Sequence, residues 1–265
     1  MRLPLRDLLA MDDQTIIFLL AAIMFAGALA FGYIPLGFRF SHTRLEQFMA
    51  LGAGVLVGSA FLVIIPEGLK LTLGAAVGIA PMFLGGAILA GFTLMLLLEF
   101  FGLPHAVHHE KDRELLSLSA TIGLVIHASV DGLALGASVT SSTETGLIVF
   151  AAIMLHKGPT AFGLVSFLAH IETGQARSRL YLLLFALTSP LAAILAFYAL
   201  RDSALASDAN VGLALLFSAG TFLYVATVDV LPEVHSHDHD GESPTRFVIL
   251  GMLLVLTVAL LGPGH

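Results

Sequence analysis

The stretch VGLALLFSAGTFLYVATVDVLPE, residues 211–233, decides how the rest of the chain is read. It contains no Lys, Arg, His, Asp or Glu before Asp229. A helix of this length reaches about 35 Å at roughly 1.5 Å per residue, enough to cross a hydrocarbon core about 30 Å thick. An amphipathic surface helix would instead carry charged side chains along one face. The stretch therefore reads as a membrane span. Within it Ala219-Gly220 is followed, twelve residues after the glycine, by Pro232-Glu233.

Outward from this point, residues 46–69 carry the same signature: Ala53-Gly54, and Pro66-Glu67 at the same spacing. Hydropathy and helix breakers then divide the chain into eight apolar segments at about 15–37, 46–69, 75–102, 117–139, 146–169, 180–200, 211–233 and 246–263. The fold class is an all-α membrane protein with eight transmembrane helices in one transporter domain, residues 1–265. Helix 7 lies five helices beyond helix 2, so the two cross in opposite directions. A motif repeated in opposite directions is the mark of an inverted-topology repeat in a secondary transporter. Ala-Gly and Pro-Glu are also common packing and helix-end pairs, so coincidence stands as the alternative. If the repeat holds, helices 1–3 and 6–8 are related, and helices 4 and 5 lie between the halves, where such folds place their binding site.

Composition agrees with a bilayer as the surrounding partner. Of 265 residues, 57% are hydrophobic and 12% charged, against about 45–50% and 25% in soluble domains. Twelve Lys and Arg against nineteen Asp and Glu give a formal charge of −7. With no basic block, this argues against nucleic acid as a partner. Cysteine is absent, which excludes disulfides, thiol nucleophiles and Cys-type zinc sites. No small-residue cleavage site follows the N-terminal residues, so no cleaved signal peptide is expected, and a start at Met11 would leave the reading unchanged. With the N-terminus outside, the inner loops hold Arg39, Arg44, Lys111, Arg113, Arg177, Arg179 and Arg246, and the outer segments only Arg2, Arg6, Lys70 and Arg201. The excess of basic residues on cytoplasmic loops places both termini extracytoplasmic.

The few polar residues inside the spans carry the chemistry. His127 and Asp131 in helix 4 are four residues apart and project from one face, so both can reach one ion. A carboxylate at this depth costs at least about 2.5–3.5 kcal/mol and needs a partner or a role. A buried His–Asp hydrogen bond between helices is the structural alternative. Helix 5 adds His156 near mid-span, followed by Lys157, Gly158 and Pro159. Pro159 has no N–H, so a carbonyl one turn earlier is released beside the second histidine. Two His and one Asp suit Zn²⁺, with Fe²⁺, Mn²⁺, Co²⁺, Ni²⁺ or Cd²⁺ as secondary cations of the same ligand class. Thr160 faces the same way as His156 and offers either a weak oxygen ligand or a hydroxyl bonded back to its own helix. Three readings of Lys157 stand. It pairs with Asp131, it is neutralised by burial, or it fills the volume of a second cation.

Glu67, Asp229 and Glu233 read either as helix-end acids in water or as steps on an ion path, and Glu99 as an interfacial carboxylate. Two histidine-bearing loops fall on the inner side: His105, His108 and His109, and His235, His237 and His239. His and Asp in flexible loops bind divalent metals with modest affinity, which suits receipt or sensing of metal. A solvated loop with no metal role is the alternative. No Gly-x-x-x-x-Gly-Lys-Ser/Thr occurs, so transport would be driven by gradients.

Three strings, His127-Ala-Ser-Val-Asp131-Gly132, His156-Lys157-Gly158-Pro159, and Ala219-Gly220-Thr221-Phe222-Leu223-Tyr224 through Asp229-Val-Leu-Pro232-Glu233, resemble the ZIP (Zrt/Irt-like) family of divalent metal transporters. Pro66-Glu67 fits as well, and the resemblance covers essentially the whole chain. It implies eight helices arranged as three, two and three, with both termini outside and metal between helices 4 and 5. It also implies an elevator-type alternating access, in which helices 1, 4, 5 and 6 move against a scaffold of 2, 3, 7 and 8, and a homodimer. Many members hold a paired-metal centre with His-Asn in helix 4 and His-Glu-x-Pro-His-Glu in helix 5. Here Ala128, Lys157, Thr160 and Ala161 stand at four of those places, as in a branch reading His-Lys-x-Pro that is known in bacteria and eukaryotes. The first metal site, at His127, Asp131 and His156, is kept, and Lys157 stands where a second metal would be.

The function expected is secondary transport of Zn²⁺ into the cytoplasm, with no enzymatic activity and no catalytic cofactor. The membrane is the cell (inner) membrane in a prokaryote, or a Golgi-type or plasma membrane in a eukaryote. The competing class is an intramembrane zinc-dependent hydrolase, which would need a separate general base that helices 4 and 5 do not supply.

Overall fold

The computed structural model describes residues 11–37, 41–75, 78–102, 111–201, 203–236 and 244–261. The described residues are helical, without strands, and form eight helices. Helix α1 is Asp13–Gly37, α3 Pro81–Gly102, α4 Lys111–Ser141, α5 Thr143–His170, α6 Gln175–Leu200 and α8 Thr245–Leu261. Helix α2 runs His42–Ser59, continues through a π-helical turn at Ala60–Ile64, and resumes as Ile65–Gly74. Helix α7 repeats that form: Asp208–Tyr224, π-helical Val225–Val230, then Leu231–Ser236. Seven of the eight are long and apolar enough to cross a membrane; α8, described over 17 residues, is shorter.

Several helices extend beyond the apolar runs that mark them in the sequence. Hydropathy reports the part in contact with lipid, whereas the ends are set by caps and breakers. Helix α5 begins at Thr143 because the Ser142 hydroxyl accepts the Thr145 N–H at 3.0 Å. Helix α3 begins six residues later than the hydropathy suggests, at Pro81, whose fixed φ and missing N–H suit a first helical position. Asp12 caps α1 by accepting the Thr15 N–H at 3.1 Å and the Thr15 hydroxyl at 2.6 Å. Those bonds hold its carboxyl below the usual range.

The two π-helical turns have one cause. Pro66 and Pro232 have no N–H for the carbonyl four residues back, and their rings would press on it. Widening the preceding turn to i→i+5 bonding moves that carbonyl aside: the N–H of Ile65 donates to Ala60, and that of Leu231 to Ala226. Each helix thus passes its proline without breaking.

Glycines bring the helices into close contact. A Cβ on Gly54 would overlap the carbonyl oxygen of Val248, and one on Gly251 that of Leu51, which joins α2 to α8. The α3–α7 contact is built the same way, from Gly220 against Ile88 and Gly91 against Phe217. Gly68 and Gly212 meet where α2 and α7 pack, the end of one against the beginning of the other. Helix α4 rests on α6 through Gly132 against the Ser189 carbonyl and Gly136 against that of Ala193. Met82 on α3, Leu195 on α6 and Leu260 on α8 turn outward, each more than 60% exposed, as side chains facing lipid do.

Candidate metal centre

Helices α4 and α5 lie against each other, and α4 also lies against α7, whose Phe222 ring reaches His156 on α5. They bring together the three side chains that sequence spacing selects. His127 Nε2 lies 3.1 Å from Asp131 Oδ2, and His156 Nε2 lies 3.1 Å from the same oxygen. One atom from each of the three falls within 4.8 Å of the others, and all three residues are buried. Among the described residues this is the group of His and acidic side chains arranged to hold a metal ion.

The hydrogen bonds around the group leave its inward atoms available. His156 Nδ1 is 3.0 Å from the carbonyl oxygen of Ala152. A carbonyl only accepts, so Nδ1 carries a proton, and in the neutral ring Nε2, which sits at hydrogen-bond distance from Asp131 Oδ2, presents a lone pair. His127 Nε2, although close to Asp131, has no hydrogen-bond partner and no contact with water. A buried polar atom in that position costs free energy unless something binds it. The carboxylate is acceptor-only, so the arrangement gathers acceptor atoms about a point where a divalent cation would satisfy them.

Above and below the group the packing is apolar. One hydrophobic cluster includes Leu124 and Ala128 on α4, Ala161 and Leu164 on α5, and Tyr224 and Val225 on α7. A second includes Ala134 and Leu135, Val149 and Ile153, and Ala219 and Phe222 on the same three helices. His127, Asp131 and His156 sit between the two. A cavity of about 20 Å³, lined by Leu56, Leu124, Thr160, Leu164, Phe167 and Val225, lies where α2 and α7 meet α4 and α5; a single water needs about 10–15 Å³ by the same measure.

The other sequence-selected residues distribute as follows. Thr160 is buried beside the cavity, and its hydroxyl donates to the His156 carbonyl at 2.6 Å. Lys157 is fully buried, but its ammonium is not within ion-pair distance of Asp131. It donates to Ser189 Oγ at 2.5 Å and sits 4.0 Å over the ring of Phe185, both on α6, and Ser189 in turn donates to the Ala128 carbonyl at 2.7 Å. Of the three readings of Lys157, direct pairing with Asp131 is not the one seen: the hydroxyl and the ring hold the ammonium toward α6. Glu67 does not end its helix, which continues to Gly74, and it pairs with Lys70 at 3.5 Å, away from the metal group. Asp229, Glu233 and His235 belong to α7 and Glu99 to α3, but their side chains lie outside the described residues, as do His105, His108, His109, His237 and His239 entirely.

Sequence reasoning missed what α7 brings. Ser218 Oγ donates to Asp131 Oδ1 at 2.7 Å and lies 3.2 Å from His127 Nδ1. Thr221 Oγ1 is also 3.2 Å from that nitrogen, and the Phe222 ring covers His127 and His156 at 4.2 and 5.0 Å between centroids. The signal was present as Ser218 and Thr221, two hydroxyl residues three apart and the first polar ones in the span.

A model of the family described as ZIP Zinc transporter matches residues 103–259, more than half of the chain. Zinc transporter ZIP9-B of Xenopus laevis is 40% identical over 305 aligned residues, covering 96% of this chain and 99% of the relative. Zinc transporter ZIP9 of Micropogonias undulatus is 40% identical over 309, and that of Xenopus tropicalis 42% identical over 305, with the same coverage. Apolar spans, a buried His/Asp/His group and this likeness along nearly the full length agree: the chain is an integral membrane protein that belongs to the ZIP family of transporters.

Proposed function

We propose that the chain carries Zn²⁺ into the cytoplasm, binding one ion at a time at His127, Asp131 and His156 between α4 and α5. The observation that carries this reading is the convergence of two imidazole nitrogens and a carboxylate oxygen within 4.8 Å in a wholly buried setting. Such a nitrogen-rich set also suits Fe²⁺, Mn²⁺, Co²⁺, Ni²⁺ and Cd²⁺ as secondary cargo. Thr160 keeps oxygen lone pairs for a weak fourth contact. Lys157, with Ala128 and Ala161 beside it, leaves a second divalent ion without donors and supplies a fixed positive charge instead. Glu67, Asp229 and Glu233 serve as collecting points on the path, and the inner-loop histidines tune uptake without being required for it. The assembly is a homodimer, as the family resemblance implies. A hydrolase is not favoured, because the relatives are transporters.

Transport proceeds by elevator-type alternating access within an inverted repeat of three, two and three helices. The glycine contacts support this division. Where an added Cβ would press within 3.0 Å of another helix's backbone, both helices belong either to α1, α4, α5 and α6 or to α2, α3, α7 and α8. Between the two groups no glycine presses on backbone: an added Cβ on Gly52 would lie 3.6 Å from Gly163, and one on Gly123 would meet only side-chain ends, 2.7 Å from the Met95 methyl and 3.5 Å from a Val225 methyl. Helices locked within each group and loosely seated between groups suit sliding of one body past the other.

Radioactive zinc uptake into proteoliposomes tests the reading. His127→Ala, Asp131→Ala and His156→Ala should each lower uptake at least tenfold with insertion unchanged, while replacing the six inner-loop histidines with Ser should leave uptake running. Full transport by Asp131→Ala would refute the site.

A further inference from the structure

Two hydroxyls of α7 touch the far side of the metal group, and their hydrogens can be followed one by one. A hydroxyl has a single proton to give. That of Ser218 goes to Asp131 Oδ1 at 2.7 Å, and that of Thr221 to the Ser218 carbonyl at 2.8 Å. Neither is left for His127 Nδ1, which lies 3.2 Å from both oxygens. The proton in those contacts must therefore come from the imidazole. His127 then carries its hydrogen on Nδ1 and presents a bare Nε2 to the metal position.

We propose that Ser218 and Thr221 are positioning residues for the metal centre. They select the His127 tautomer that exposes Nε2, and Ser218 at the same time fixes the rotation of the Asp131 carboxylate so that Oδ2 faces both imidazoles. The two act from α7, across the boundary between the proposed bodies. The ligands are thus held in binding geometry when α4 is seated against α7, and the hold is released when the bodies part. This rests on the reading of His127, Asp131 and His156 as the cargo site. It adds that affinity depends on which helix α4 faces.

The test is zinc binding to the purified full-length protein by equilibrium dialysis, with the histidine count of the bound ion read by X-ray absorption. Thr221→Val keeps the shape of the side chain and removes the hydroxyl, whereas Thr221→Ser keeps the hydroxyl and removes a methyl. Outer partners of metal ligands are typically worth 10–100-fold in affinity. Thr221→Val and Ser218→Ala should each weaken zinc binding about tenfold, and together reduce the coordinated histidines from two to one. Thr221→Ser should bind within about threefold of the wild type. Wild-type affinity with two coordinated histidines in the Ser218→Ala/Thr221→Val protein would overturn the proposal and leave the site itself standing. Loss of affinity in Thr221→Ser equal to that in Thr221→Val would also overturn it, since packing and not the hydroxyl would then be responsible. Should Ser218→Ala fail to insert, the Thr221 pair decides the point alone. Failure of the wild type to bind zinc through two histidines would instead refute the site.

Discussion

Lys157 shows how much a single residue is asked to do in this core. Its ammonium is buried, and its contacts are a hydroxyl and an aromatic face on α6, not a carboxylate. Through Ser189 it reaches the Ala128 carbonyl, so one side chain of α5 joins α6 and α4 by two consecutive hydrogen bonds. Removing it leaves a cavity and takes from the Ser189 oxygen the donor it accepts from. Lys157→Ala should therefore cost about 2–4 kcal/mol, read as a lower unfolding temperature of the metal-free protein. It should also weaken transport. Lys157→Glu combined with Ala128→Asn should raise bound zinc from one toward two per chain; an unmodified protein that already binds two between α4 and α5 would contradict the role given to the lysine.

At the scale of elements, the sequence was most legible where one physical rule acts alone. Apolar length gave the number of helices, and the four-residue spacing of His127 and Asp131 gave one face of α4. What it did not give are features that depend on a partner element. The orientation of Lys157 toward α6 needs the position of Phe185. The part played by Ser218 and Thr221 needs the placing of α7 beside α4. The π-helical turns were announced only as two prolines, and the closeness of α4 and α6 only as glycines. That closeness makes a prediction. Gly132→Ala would drive a methyl into the Ser189 carbonyl, whereas Gly163 has nothing within 4 Å of an added Cβ. Overpacking costs typically about 1–3 kcal/mol. Thermal unfolding should show that loss in Gly132→Ala and almost none in Gly163→Ala.

For the whole molecule the absence of cysteine offers a direct trial of motion. Gly123 on α4 and Val225 on α7 face each other across the two groups, with an added Cβ 3.5 Å from the valine methyl, while Gly58 on α2 and Val255 on α8 lie within one group at 3.2 Å. The second pair brings Cβ against Cβ and the first brings a Cβ against a methyl, so a cysteine pair at either place is within reach of a cross-link. Oxidised Gly123→Cys/Val225→Cys should stop zinc uptake, with recovery on reduction, and oxidised Gly58→Cys/Val255→Cys should transport normally. Equal uptake by both oxidised proteins would exclude sliding between the groups. The apolar layers on either side of the ligands carry a last consequence. An ion reaching His127, Asp131 and His156 can bring little of its hydration shell through Leu124, Leu164 or Ile153. Mg²⁺ gives up its waters reluctantly and gains little from imidazole, whereas Zn²⁺ accepts nitrogen and a low coordination number. On the proposed path, water shed in the greasy approach has to be replaced by the ligands, and two imidazoles with one carboxylate do that for Zn²⁺ far better than for the abundant hard cations.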